Sequence, residues 1–93
     1  MAEVWLDHPE AAVLDALEAD PARSGSARAV LDVLRRIAAD PGGDDVRRLR
    51  FHAVGYWGVP VSGNSEDWLI LWEPHETESD VILLGYLGPA SFL

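Results

Sequence analysis

The chain has 93 residues, 48% of them hydrophobic and 25% charged, a size and composition that predict one domain (residues 1–93) with a single core. It has no cysteine, which excludes disulfides, thiolate metal sites and cysteine nucleophiles. Its formal net charge of −9 makes it a poor general binder of nucleic acid, because such binding depends on cations that displace phosphate counterions.

Two helices are predicted in the first half of the chain, after a short strand at residues 3–6. The first helix is expected over residues 9–19, with Asp7 as its cap and Glu10 at the spacing of a capping box. The segment "DPARSGS" (20–26) should interrupt it, and "DPGG" (40–43) should end the second helix. The second helix is predicted by a stripe of apolar residues at helical spacing: Ala27, Val30, Leu31, Leu34, Ile37 and Ala38.

The second half of the chain has the character of strands. Within "DDVRRLRFHAV", apolar residues alternate with Arg48, Arg50 and His52, which predicts a strand with these three on one face. Strands are also predicted in "YWGVPV", "DWLILWE" and "DVILLGYL", separated by turns, and Pro60 favours an edge or a bulge. We therefore expect an α+β fold: an N-terminal strand, a helical hairpin, and an antiparallel meander of three or four strands with the helices on one face.

Two of these strands are apolar on both faces. An antiparallel sheet with one solvated face should alternate apolar and polar residues, but "WLILW" and "VILLGYL" do not. A partner chain, a second copy of the protein or the last residues, "GPASFL", could cover the second face; alternatively, part of the apolar surface is simply exposed. The residues predicted to contact a partner are Trp57, Trp68, Ile70 and Trp72.

The basic residues are concentrated in the middle of the sequence. All seven are arginines within residues 23–50, whereas residues 1–20 and 64–93 carry six carboxylates each and no lysine or arginine. Acidic ends favour a basic partner, and no membrane association is expected. The start of the chain lacks the features of a signal peptide, and no apolar run has the length of a membrane span, so a cytoplasmic location is expected.

Arg48, Arg50 and His52 form the strongest candidate for a catalytic site. Two arginines can clamp a phosphate and a histidine can transfer protons near neutral pH, with Tyr56 or Tyr86 as a further partner. The alternative is a solvated strand face whose arginines pair with the abundant carboxylates. Use of the cluster would require it to lie outside the face covered by the helices.

Several segments resemble the RelE/ParE superfamily of bacterial toxins. These are the first strand with "HPEAAVLDAL", then "VLRRIAADPGG", "GYWGVPV", "WLILWE" and "DVILLGYLG". "WLILWE" is similar to the family pattern Tyr-Arg-Ile-Leu-Tyr-Glu, with Trp68 and Trp72 at the two tyrosine positions. The resemblance spans most of the chain and implies the α+β fold described above.

At the positions where some family members carry RNA-cleavage residues, this chain has other residues. Ribosome-dependent members of the family use cations on the sheet, with a C-terminal tyrosine or histidine, to cleave messenger RNA. Here Leu69 stands at the position of the strand arginine, Trp57 and Val59 stand near the positions of paired lysines, and "GPASFL" contains no cation. Such cleavage needs charge stabilisation and a proton-transfer pair. The usual RNA-cleavage residues are therefore missing.

The function expected from these observations is that of a toxin-like component of a toxin–antitoxin system, acting mainly by binding an antitoxin-like protein or peptide. The alternatives are an endoribonuclease, on the ribosome or free, that uses Arg48, Arg50 and His52, with Tyr86 as a further candidate, and a non-toxic homodimeric scaffold. No cofactor is expected. A run of possible ligands in "EPHETESD" is interpreted as a hydrated turn, and no metal site is predicted.

Overall fold

A computed structural model describes residues 3–47, 49–51, 55–62, 67–78 and 80–90. The regular elements are strand β1 (Glu3–Trp5), helices α1 (His8–Ala19) and α2 (Ser24–Ala39), and strands β2 (Leu49–Phe51), β3 (Tyr56–Ser62), β4 (Asp67–Pro74) and β5 (Val81–Pro89). The strands form one sheet in the order β1-β5-β4-β3-β2, in which β1 is parallel to β5 and the other pairs are antiparallel. The predicted α+β class and order of elements are confirmed. In the described part of the chain, no helix combines the length and the apolar character needed to span a membrane.

The helix boundaries differ from the prediction in two details. Asp7 occupies the N-cap position of α1, but its side chain makes no capping hydrogen bond, so the expected capping box does not form. Asp20 does cap: its side chain accepts a hydrogen bond from the backbone N–H of Ala22 at 3.0 Å and opens a 3-10 turn over Pro21–Arg23. Because this turn leads directly into α2, the interruption is shorter than predicted, and Ser24 is already helical.

The core lies between the helices and one face of the sheet. α2 contributes the predicted stripe: Ala27, Val30, Leu34, Ile37 and Ala38 are buried, and Leu31 is partly buried. From the sheet, the buried cluster includes Val59, Val61, Trp68, Ile70, Trp72, Ile82, Leu84 and Leu87. We call this the helix face of the sheet.

The even-numbered apolar side chains of β4 are buried, although they were predicted to contact a partner. Trp68, Ile70 and Trp72 are only 2%, 0% and 0% exposed and belong to the core, and Trp57 packs against it. Successive side chains of a strand point to opposite faces, so all three of these β4 residues share the helix face. Side chains that already fill the protein's own core are not available to a partner.

Trp72 anchors this core through a polar contact as well as its size. Its indole N–H donates a hydrogen bond of 2.7 Å to the backbone carbonyl of Val46, which is itself buried. A buried aromatic side chain of this size contributes strongly to packing, and its polar atom needs a partner when water is excluded. The contact fixes the short 3-10 turn Asp44–Val46 against the sheet.

Candidate functional site

The opposite face of the sheet, which we call the open face, carries the odd-numbered residues of β4. Leu49 of β2 pairs with Gly58, Gly58 with Leu71, and Leu71 with Tyr86, so these residues form one row across the sheet on this face. Leu69 is fully buried even though it lies on this side of the sheet. The open face therefore has partial cover of its own.

Two tyrosine rings provide part of that cover. At Gly85 an added Cβ would overlap the ring of Tyr56, and at Gly88 it would lie 2.6 Å from the hydroxyl oxygen of Tyr86. The Tyr86 hydroxyl donates to the carbonyl of Pro89 at 3.0 Å, which holds its ring along β5. A register shift makes room for this packing, because Leu71 pairs with Tyr86 whereas Trp72 pairs with Leu84, leaving Gly85 as the extra residue of a bulge.

Other positions of the open face carry apolar side chains that are partly exposed. Trp5 and Leu49 are 45% and 37% exposed, and Leu71 and Leu83 are half-buried between them. Trp5 also meets the ring of His75 edge-on, with a centroid distance of 5.7 Å. Aromatic side chains that are partly exposed on a flat surface are typical of protein-binding sites.

Among the described strand residues, three carboxylates share the open face with these rings. Glu73 pairs with Leu83, and Leu83 with Trp5, so Glu73 lies in the row that ends at the exposed tryptophan. Glu3 and Asp67 are exposed at two other positions of the same face. None of the described arginines lies on it: four belong to α2 or the turn before it, and Arg47 and Arg50 lie elsewhere.

Arg47 and Arg50 form an arginine–tryptophan cluster at the border of the helix face. The Arg47 and Arg50 guanidinium carbons lie 5.0 and 4.7 Å from the ring centroid of Trp57, and Arg47 lies 5.7 Å from that of Trp72. Backbone carbonyls orient both side chains: Arg47 Nε donates to Pro41 at 2.7 Å and Arg50 Nη1 to Gly55 at 3.2 Å. Within the described residues neither arginine forms an ion pair, so two oriented positive charges share one indole ring.

The predicted catalytic residues are only partly placed. Arg50 is exposed but pairs with Trp57, which assigns it to the helix face. Tyr56 and Tyr86 lie on the open face, so the sheet separates both tyrosines from Arg50. Arg48 and His52 fall outside the described residues.

His75 has a structural role in the acidic turn that follows β4. His75 Nδ1 accepts hydrogen bonds from the backbone N–H groups of Thr77 and Glu78, both at 3.1 Å. In the described ranges, no three histidine or carboxylate side chains come close enough to hold a metal ion.

Sequence reasoning missed the tyrosine–glycine contacts and the contribution of Arg47. A signal for the first was present, since glycines inside a strand often mark a bulge or a close approach of another group, and β5 contains two of them. Arg47 had no such signal, because its stacking on Trp57 depends on tertiary structure. The chain was compared with protein-family models, curated proteins and solved structures, and no match was found in any of the three.

Proposed function

We propose that the chain is a toxin-like component of a bacterial toxin–antitoxin system that acts mainly by binding protein partners. The observation that carries the proposal is the open face, where Trp5, Leu49, Leu71 and Leu83 leave apolar surface exposed beside two tyrosine rings. The order of elements, a strand, two helices and an antiparallel meander, agrees with the fold that the resemblance to the RelE/ParE superfamily implies. A cytoplasmic location belongs to the same proposal.

A growth experiment tests this function. The protein is induced alone in a bacterial host while growth, translation rate and the integrity of messenger RNA are followed. A binding toxin should arrest growth while the messages remain intact. The double variant Trp5→Ala with Leu49→Ala should abolish the arrest, because it removes exposed apolar contacts without opening a cavity in the core. Normal growth with the natural chain, at matched expression, would refute the toxin proposal.

RNA cleavage is the second candidate, and the arginine–tryptophan cluster is the observation that favours it. Guanidinium groups clamp phosphates and aromatic rings stack on bases, so Arg50 on Trp57 combines two contacts that RNA can use. The double variant Arg47→Ala with Arg50→Ala separates the two candidates. If the natural chain cuts messenger RNA and the variant leaves it intact, the nuclease is supported. If growth arrest persists in the variant, the binding toxin is supported.

A further inference from the structure

The open face combines aromatic rings and carboxylates in a pattern that suits positively charged side chains. Trp5 is close to half exposed, and Glu73 lies in the same cross-strand row. A guanidinium or ammonium group placed over an aromatic ring is attracted by the negative face of the ring. A carboxylate in the same row can form a charge-assisted hydrogen bond with a second cation of the same segment.

The two tyrosines on the open face are held before any partner arrives. Tyr56 lies on Gly85, and Tyr86 lies on Gly88 with its hydroxyl bonded to Pro89. Rings fixed in this way lose little conformational entropy on binding, which raises the affinity that a given contact can supply.

The charges of the open face also argue against a second copy of the chain as the occupant. A two-fold dimer brings the same patch of both copies together. Here the described charges on the face are all carboxylates, with Glu3 and Glu73 towards one end of it and Asp67 at the other, so the charges that two copies bring together would be alike, with no described arginine on the face to offset them. Juxtaposed like charges disfavour such a pairing.

We propose that the open face docks a cationic, apolar segment of a protein partner, in which arginine or lysine side chains alternate with aliphatic ones. The aliphatic side chains cover Leu71 and Leu83, and the cations reach Trp5, the tyrosine rings, Glu3 and Glu73. This assignment rests on the proposed function in taking the partner to be a protein, and it adds where that partner binds and which charge it carries.

Direct binding to a defined probe tests the proposal. A fluorescently labelled peptide that alternates leucine and arginine is titrated with the purified protein at low salt, and anisotropy is measured. A peptide that alternates leucine and glutamate serves as the charge-reversed probe. We expect the arginine peptide to bind at least about tenfold more tightly, because the face offers carboxylates and rings but no described cation.

Matched variants separate the open face from the overall acidity of the protein. Glu3→Gln with Glu73→Gln removes two charges from the face, and Asp15→Asn with Glu18→Gln removes two exposed charges from α1. The first pair should weaken binding of the arginine peptide about fivefold or more, and the second less than about twofold. Equal losses from both pairs would show attraction by net charge alone and would overturn the proposal.

Nuclear magnetic resonance gives a second measurement that does not depend on variants. The indole N–H signal of Trp5 should shift as the arginine peptide is added, whereas those of the buried Trp68 and Trp72 should not. No binding, or shifts elsewhere only, would overturn the proposal, as would a concentration-dependent dimer whose formation shifts Trp5. Growth arrest without peptide binding would support the toxin function and refute the docking of a cationic segment. Peptide binding without growth arrest would support the docking and refute the toxin function.

Discussion

Single residues decide which apolar side chain of β4 has which role, and two tryptophans on its helix face illustrate this. Trp68 and Trp72 are both buried, 2% and 0% exposed, and they lie four positions apart on the same strand. The indole N–H of Trp72 has an acceptor, the carbonyl of Val46, whereas the buried indole nitrogen of Trp68 has none among the described residues. A sequence pattern cannot distinguish them, because the difference depends on where the turn before β2 passes.

The substitutions Trp72→Phe and Trp68→Phe should therefore differ in cost. Both remove a similar volume from the core, but only the first also leaves the buried carbonyl of Val46 without its donor, a penalty of about 1–3 kcal/mol. Urea denaturation should show that Trp72→Phe lowers the free energy of unfolding by that much more than Trp68→Phe. Trp5→Phe, at an exposed site, provides the baseline. Equal losses for the two buried sites would contradict a stabilising role for the bond to Val46.

At the scale of elements, the sequence predicted which segments form helices and strands but not how the strands are used. The period of α2 and the alternation in the strands follow from local spacing, so these elements were predictable. Five consecutive apolar residues in β4 contain no information about which of its faces meets the helices. The bulge at Gly85 shifts the register of β5, and the packing of Tyr56 on that glycine follows only from the three-dimensional arrangement. The β4 residues predicted to contact a partner, Trp68, Ile70 and Trp72, therefore lie on the face that meets the helices.

The contact between Tyr56 of β3 and Gly85 of β5 predicts that the effect of Gly85→Ala on the free energy of unfolding depends on whether Tyr56 is present. In the natural chain, Gly85→Ala places a methyl group into the ring of Tyr56 and should lower the free energy of unfolding by about 1–3 kcal/mol. In a Tyr56→Ala background the same change should be neutral or stabilising by up to about 1 kcal/mol, because alanine suits a strand better than glycine does. A double-mutant cycle by urea denaturation measures this coupling. The same cost in both backgrounds would show that the ring does not occupy the space above Gly85.

At the scale of the whole molecule, charge is the dominant imbalance. Sixteen carboxylates oppose seven arginines. The two ion pairs described, Arg23–Asp20 and Arg36–Asp32, are local and about half exposed. Pairs of this kind contribute about 0–1 kcal/mol, so they do not offset the repulsion among the remaining carboxylates. The radius of gyration is 12.6 Å, whereas the Debye length is about 30 Å at 0.01 M salt and about 8 Å at 0.15 M.

Repulsion therefore acts across the entire molecule at low salt and is screened at moderate salt. We expect the urea midpoint of unfolding to rise between about 0.01 and 0.15 M sodium chloride, because folding compresses the excess negative charge into a smaller volume. The urea midpoint of the double variant Glu76→Lys with Glu78→Lys, in an exposed turn, should rise less with salt, since each substitution removes one negative charge and adds a positive one. A midpoint that falls with salt would mean that attractive pairs outweigh the net charge.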